Sequence, residues 1–183
     1  MTRFALTLGA VALLAACAST PPSAPTGPVF SQTGLPRAVQ VPAGNAVALE
    51  TVGVGAITYQ CGPNKDIQGQ FIWVFVGPVA DLKDRSGRPI GKYFGPPATF
   101  VANDGSMLTA AQVAVAPATA GNIPLQLLKA NPATGSGAMT GTTYVQRVAT
   151  LGGVPPATVC NAAMTGKKEV VKYQSDYIFW KAA

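Results

Sequence analysis

The chain has 183 residues, a net charge of +6 at pH 7, 11% charged residues and no histidine. The missing histidine removes Ser-His-Asp and Cys-His catalysis, His-ligated zinc and the usual copper sites. The basic residues are scattered, with Lys83-Asp84-Arg85 interrupted by an acid and Lys167-Lys168 the one adjacent pair, so no nucleic-acid stripe forms and no nucleic-acid partner is expected.

Residues 1–16 read as a signal peptide. Arg3 supplies the positive start, Phe4 to Leu14 an apolar run too short to span a bilayer, and Ala15-Ala16 the small residues before cleavage. Leu14-Ala15-Ala16-Cys17 resembles a bacterial lipobox. That resemblance implies a diacylglyceryl group on the Cys17 sulfur, cleavage before Cys17 and acylation, with palmitate as a usual chain, of the new amino terminus. The competing reading is an ordinary secretory signal that leaves Cys17 as a chance thiol. Ala18, where an aspartate commonly marks inner-membrane retention, points to the outer membrane and a periplasm-facing domain if the host is Gram-negative. The expected partner is therefore the membrane, through an N-terminal lipid. From Ser19 to Pro36 the chain is rich in Pro, Ser, Thr and Gly and poor in large apolar side chains, so residues 17–36 are expected to form a disordered tether.

Residues 37–183 suit one domain. Helical periodicity is nearly absent, and short strands alternate with Gly and Pro clusters. Ala46-Val47-Ala48-Leu49 is a candidate strand. Ala56 to Cys61 is a stronger one, with Ile57, Tyr59 and Cys61 on one face. Gly62-Pro63-Asn64 turns the chain. Phe71 to Val76 is a continuous apolar run that suits a strand covered on both faces and is the expected core strand. Asp81 to Pro89 is charged and reads as an exposed loop or short helical turn. Asn103-Asp104-Gly105-Ser106 has the residues of a tight turn, which returns Met107 antiparallel to Ala98–Val101. Gln112–Ala116, Pro124–Lys129, Thr142–Thr150, Glu169–Tyr173 and Asp176–Trp180 complete the strand set. Such spacing predicts an all-β domain, either an antiparallel β-sandwich or a partly closed β-barrel.

Lipidation of Cys17 leaves Cys61 and Cys160 of the 3 cysteines. In an oxidising compartment two thiols admit a single intramolecular pairing, so a Cys61–Cys160 disulfide is expected. The bland alternative is two independent buried thiols.

Several motifs together resemble the family known as domain of unknown function 3455. They are Val41-Pro42-Ala43-Gly44, Gly53-Val54-Gly55 leading to Tyr59-Gln60-Cys61, and Asp104-Gly105-Ser106. The C-terminal half adds Gln146-Arg147-Val148-Ala149-Thr150, Gly152-Gly153, Pro155-Pro156, Cys160, and Tyr173-Gln174-Ser175-Asp176-Tyr177 before Phe179-Trp180. The resemblance covers most of the domain. It implies a histidine where Tyr93 stands and a tryptophan near Thr99-Phe100, and this chain departs from the pattern at both. The family lends no established activity.

Gly53-Val54-Gly55-Ala56-Ile57-Thr58 resembles the opening of a dinucleotide fingerprint, but Thr58 replaces the third glycine and a strand-like Tyr59-Gln60-Cys61 follows where a helix should start. No cofactor is expected. The acids are Glu50, Asp66, Asp81, Asp84, Asp104, Glu169 and Asp176, and none forms a catalytic spacing beyond Asp81/Asp84. Asp104 reads as a turn residue. Asp176 lies within an aromatic strand, where Arg147 is its expected partner. Tyr173, Tyr177, Phe179 and Trp180 either pack the core or line a cleft. Asp104, Arg147, Tyr173, Asp176 and Tyr177 thus form the candidate binding surface. The favoured function is a non-catalytic envelope lipoprotein that binds a ligand, polymer or partner. The alternative is a histidine-free enzyme using carboxylates or Ser/Lys, which requires polar groups to converge beneath a shared cleft.

Overall fold

A computed structural model of the chain describes residues 30–183. The expected signal peptide, Cys17 and the first part of the expected tether lie outside the described residues. Eight strands run in order: β1 (Asn45–Pro63), β2 (Phe71–Lys83), β3 (Pro89–Phe94), β4 (Ala98–Ala102), β5 (Met107–Ala116), β6 (Leu125–Ala130), β7 (Thr142–Gly152) and β8 (Lys168–Ala182). Each pairs antiparallel with its neighbour, and β8 pairs back onto β1, from Asn45↔Ala182 to Gln60↔Lys168. The fold is an all-β, fully closed up-and-down barrel rather than a sandwich.

Alternation along the strands fills the interior. Ile57, Tyr59 and Cys61 of β1 face inward as expected and join Leu82, Phe100, Leu108, Leu128, Val145, Tyr173, Tyr177 and Phe179 in one buried cluster. Phe100 meets Tyr177 and Phe179 edge to face, with ring centroids 5.4 and 5.2 Å apart, and such pairs add about 0.5–1.5 kcal/mol each beyond their area. An eight-stranded barrel has an interior only just wide enough for side chains, so large rings require small residues opposite them. Gly53 meets this need. A Cβ there would come 2.5 Å from the Tyr177 ring, which is why Gly53-Val54-Gly55 lies in mid-strand and not in a phosphate loop.

Three expectations change. Ala46–Leu49 and Ala56–Cys61 are one continuous strand, as are Glu169–Tyr173 and Asp176–Trp180. The Phe71–Val76 run is not covered on both faces. Trp73 points inward at 9% exposure, whereas Ile72 and Val74 lie on the outer wall at 38% and 39%, because a barrel strand has one interior face and none of the described residues overlies this part of the wall. Asp81 to Lys83 belong to β2, and the charged turn is confined to the residues after it.

The expected tether also ends earlier than Pro36. Phe30 stands edge-on to Trp180, 6.4 Å between centroids, and Phe30, Leu35, Val39 and Val41 pack with Leu127, Val148, Ile178 and Trp180 on the outside of the barrel. Gln146, fully buried, holds this strap: its Nε2 donates to the Val39 carbonyl (2.6 Å) and to Gln32 Oε1 (3.1 Å), while its Oε1 accepts from the Trp180 indole (2.9 Å). A buried amide so satisfied stabilises the dock, and leaving its partners unpaired would cost about 1–3 kcal/mol.

The Cys61–Cys160 disulfide is formed, with Cα atoms 5.5 Å apart, and ties the interior end of β1 to the long β7–β8 loop. It closes a span of 99 residues, and in the chain-entropy model such a loop stabilises the fold by about 4–5 kcal/mol. Cys160→Ala should therefore lower the melting temperature by several degrees in calorimetry, and reduction of the native protein should lower it similarly. No change in either experiment would show the bridge to be thermodynamically idle.

Candidate functional site

The barrel has two differently built ends. One carries the β2–β3 turn, the Asn103–Ser106 turn and the β6–β7 loop. The other carries the β1–β2, β3–β4, β5–β6 and β7–β8 connections together with the disulfide.

At the first end a cavity of about 430 Å³ is walled by Leu49, Leu82, Ile90, Ala102 and Met139. Its charged rim is already engaged. Arg88 Nε donates to Asp84 Oδ2 at 3.0 Å. Asp84 also accepts from Ser86 Oγ at 2.6 Å, and these hydrogen bonds, the Ser86 hydroxyl foremost, lower its carboxyl to about 2. Asp104 is the turn residue expected. It accepts from Ser106 Oγ (2.6 Å), Ser106 N (2.9 Å) and Ala138 N (2.7 Å), which depress its pKa, the Ser106 hydroxyl most of all. Ser106 is buried and also accepts from Met139 N at 3.1 Å, so the Ser-Asp pair stitches the β6–β7 loop to the turn.

Asp176 and Arg147 do not pair. The β7–β8 register sets Val148 opposite Asp176 and Arg147 opposite Tyr177, and alternation sends Arg147 into the barrel and Asp176 onto its outer wall. Asp176 instead binds Arg85 at 2.7 Å, and Arg85 binds Glu50 at 2.8 Å. Glu50 in turn accepts from the backbone N–H of Phe30 at 2.7 Å, so this exterior triad fastens the start of the strap.

Arg147 lies at the second end, facing the tyrosines. Tyr173 and Tyr177 hydroxyls are 3.1 Å apart, and Tyr59 donates to the Gly153 carbonyl at 2.7 Å. Tyr93 lies on Tyr177 with ring centroids 4.8 Å apart. Burial pushes the pKa of all four up, and the Arg147 charge opposes that rise at each. Beside Arg147 is an open cavity of about 200 Å³ lined by Phe75, Pro78, Tyr93, Pro96, Gln112 and Gln126. Among the described residues no carboxylate pairs with this guanidinium. Its Nε and Nη2 both donate to the Pro124 carbonyl, at 3.3 and 2.9 Å. Gln112 Oε1 accepts from Gln126 Nε2 at 2.6 Å, leaving the Gln112 amide N–H groups uncommitted.

Of the residues singled out in the sequence, Arg147, Tyr173 and Tyr177 come together here, whereas Asp104 and Asp176 lie at the far end and on the outer wall. Phe75, Gln112 and Gln126 carried no local signal. Each borders the mouth because strand closure puts it there, and irregularities in pairing beside Phe75, between Gln112 and Ala114 and between Val148 and Leu151 re-aim the rim. No group of three or more metal-ligating side chains converges among the described residues.

A family model described as a protein of unknown function (DUF3455) matches residues 42–181. The chain belongs to the DUF3455 family. No curated protein and no solved structure matches it. The DUF3455 match spans all of β1 to β7 and all but the last residue of β8, and so includes both ends of the barrel, whereas the strap from Phe30 to Val41 precedes it. Within this DUF3455 barrel Tyr93 packs flat on Phe100, 4.6 Å between centroids, so the position where the family pattern suggests a histidine is an interior ring.

The tyrosine cluster makes a pH prediction. An ordinary phenol ionises near pH ~10, and all four interior tyrosines are raised, so their contribution to stability is complete below about pH 10 and is lost as pH rises above it. Tyrosinate absorbance on alkaline titration should show these four ionising together with loss of the folded circular dichroism signal. Ionisation at an ordinary pKa with the fold intact would contradict the buried assignment.

Proposed function

We propose that this protein is a lipid-anchored cell-envelope protein whose barrel binds a small ligand, without chemical turnover, at the Arg147 end. The observation that carries the reading is a half-buried arginine at an open barrel mouth with no carboxylate partner among the described residues. A charge taken partly out of water is costly unless it is paired, and here the protein supplies one carbonyl and an open cavity. The acids support binding over catalysis, since Asp84 and Asp104 are held in turns and Glu50 and Asp176 are spent on Arg85. The envelope anchor rests on Leu14-Ala15-Ala16-Cys17. Phe30 joins the wall on the side of the barrel that carries the Arg85 turn, away from Arg147.

Two measurements test this. A fatty-acid probe should label the wild type and not Cys17→Ser, and equal labelling would remove the anchor. Full chain incubated with small molecules extracted from the cell envelope should retain a compound, recovered chemically unchanged, that Arg147→Gln does not retain. A compound that is instead turned over, with turnover abolished by Asp104→Asn or Asp176→Asn, would establish the enzyme alternative.

A further inference from the structure

The unspent hydrogen-bonding capacity of Arg147 and the walls around it point to a ligand class. We infer that the mouth binds a small monoanionic carboxylate carrying a flat apolar ring, with the carboxylate on Arg147 and the ring against Phe75 and Pro96; this rests on the binding role proposed above.

A guanidinium has five N–H donors in a planar fork with two usable edges. The Pro124 carbonyl occupies the side edge, formed by Nε and Nη2. The end edge, with one N–H from each terminal nitrogen, remains and matches the two oxygens of a carboxylate. The Gln112 amide, whose oxygen is taken by Gln126, has its N–H groups left to offer at the same rim. Gln126 is paired directly with Arg147 across β6 and β7, and Gln112 stands on the adjacent β5, so the three polar groups lie side by side on one arc of the mouth. The facing arc is apolar, formed by Phe75, Pro78, Pro96 and Ala98. Phe75 is half exposed and is held edge-on by Tyr59 at 6.1 Å, which presents its free surface to the cavity. One cation lines the cavity, which suits a single negative charge over a phosphate dianion. Its volume of about 200 Å³ falls below the roughly 300 Å³ of drug-sized sites and limits the occupant to about one ring.

Arg147 is not offered as a catalytic residue. Tyr93 lines the cavity too, but burial raises its pKa and keeps it a neutral phenol, so the chemistry assigned to Arg147 there is recognition.

The test is calorimetric titration of the full chain with benzoate, with benzamide and inorganic phosphate as comparators. Benzoate should bind at least about tenfold more tightly than benzamide, its neutral isostere, and more tightly than phosphate. Arg147→Gln should bring benzoate down to the benzamide level. Because that change also removes the bond to Pro124, a second variant is needed that leaves the fold untouched. Gln112→Glu is exposed, keeps an acceptor for Gln126 and sets a like charge beside the carboxylate. It should weaken benzoate about tenfold with the melting temperature unchanged. Equal binding of benzoate and benzamide, preference for phosphate, no benzoate binding, or benzoate affinity indifferent to both substitutions would overturn the ligand class. The binding role would still stand if the envelope extract yields an Arg147-dependent compound of another chemistry, and would fall with the ligand class if it yields none.

Discussion

Closure of the ring by the first and last strands is the constraint on which the rest of this structure depends. Fifteen residue pairs join β1 to β8, and without them the sheet would have two long free edges and an open, wettable face. Once closed, the barrel has one inside and one outside, and strict alternation assigns every strand residue to one of them. Tyr173, Ser175, Tyr177 and Phe179 go in; Gln174, Asp176, Ile178 and Trp180 go out. The interior is thereby committed to rings, and the chain accommodates them with Gly53, Ala80, Ala102 and Ala110 on the surrounding strands.

The outside is used unequally. Over β5 to β8 the strap from Phe30 to Val41 makes a second apolar layer, fastened at one point by Gln146 and at another by the Glu50–Arg85–Asp176 triad. Over β2 and the later part of β1 no described residue covers the wall, and Val54, Ile72, Val74 and Val79 are exposed. The difference lies in partner, not in hydrophobicity: among the described residues a chain segment covers one part of the wall and none covers the other. The exterior triad is partly exposed, and its Coulomb energy is modest in water. Its structural effect is positional, because it brings the β2–β3 turn, two strands and the start of the strap together.

Electrostatics separates the two ends. At the first end Asp84, Arg88 and Asp104 are paired or capped within the protein. At the second, burial disfavours ionised tyrosine while Arg147 pulls the other way, and the cation retains part of its hydrogen-bonding capacity. A larger cavity with satisfied walls has less recognition chemistry to offer than a smaller one beside an unspent guanidinium, and for this reason the binding role is placed at the Arg147 mouth despite its smaller volume.

Much of this was legible in the sequence. Strand positions followed from alternation and from Gly and Pro punctuation, the disulfide from cysteine arithmetic, and the Asp104 turn from Asn-Asp-Gly-Ser, because each depends on neighbours along the chain or on a count that allows a single answer. The bipartite strands β1 and β8 were read as pieces because mid-strand glycine and serine resemble breaks locally, and only the Tyr177 ring explains Gly53. Sandwich or barrel, the covering of Phe71–Val76, the docking of Phe30–Pro36 and the partner of Asp176 were decided by tertiary structure. Each turns on which face a residue takes and what lies across from it. The pairing register sets that, one residue of slip reverses it, and no local pattern carries it. Arg147 and Asp176 illustrate the division: both were recognisable as residues of interest from their strands alone, but their separation by the barrel wall exists only once β8 has closed onto β1.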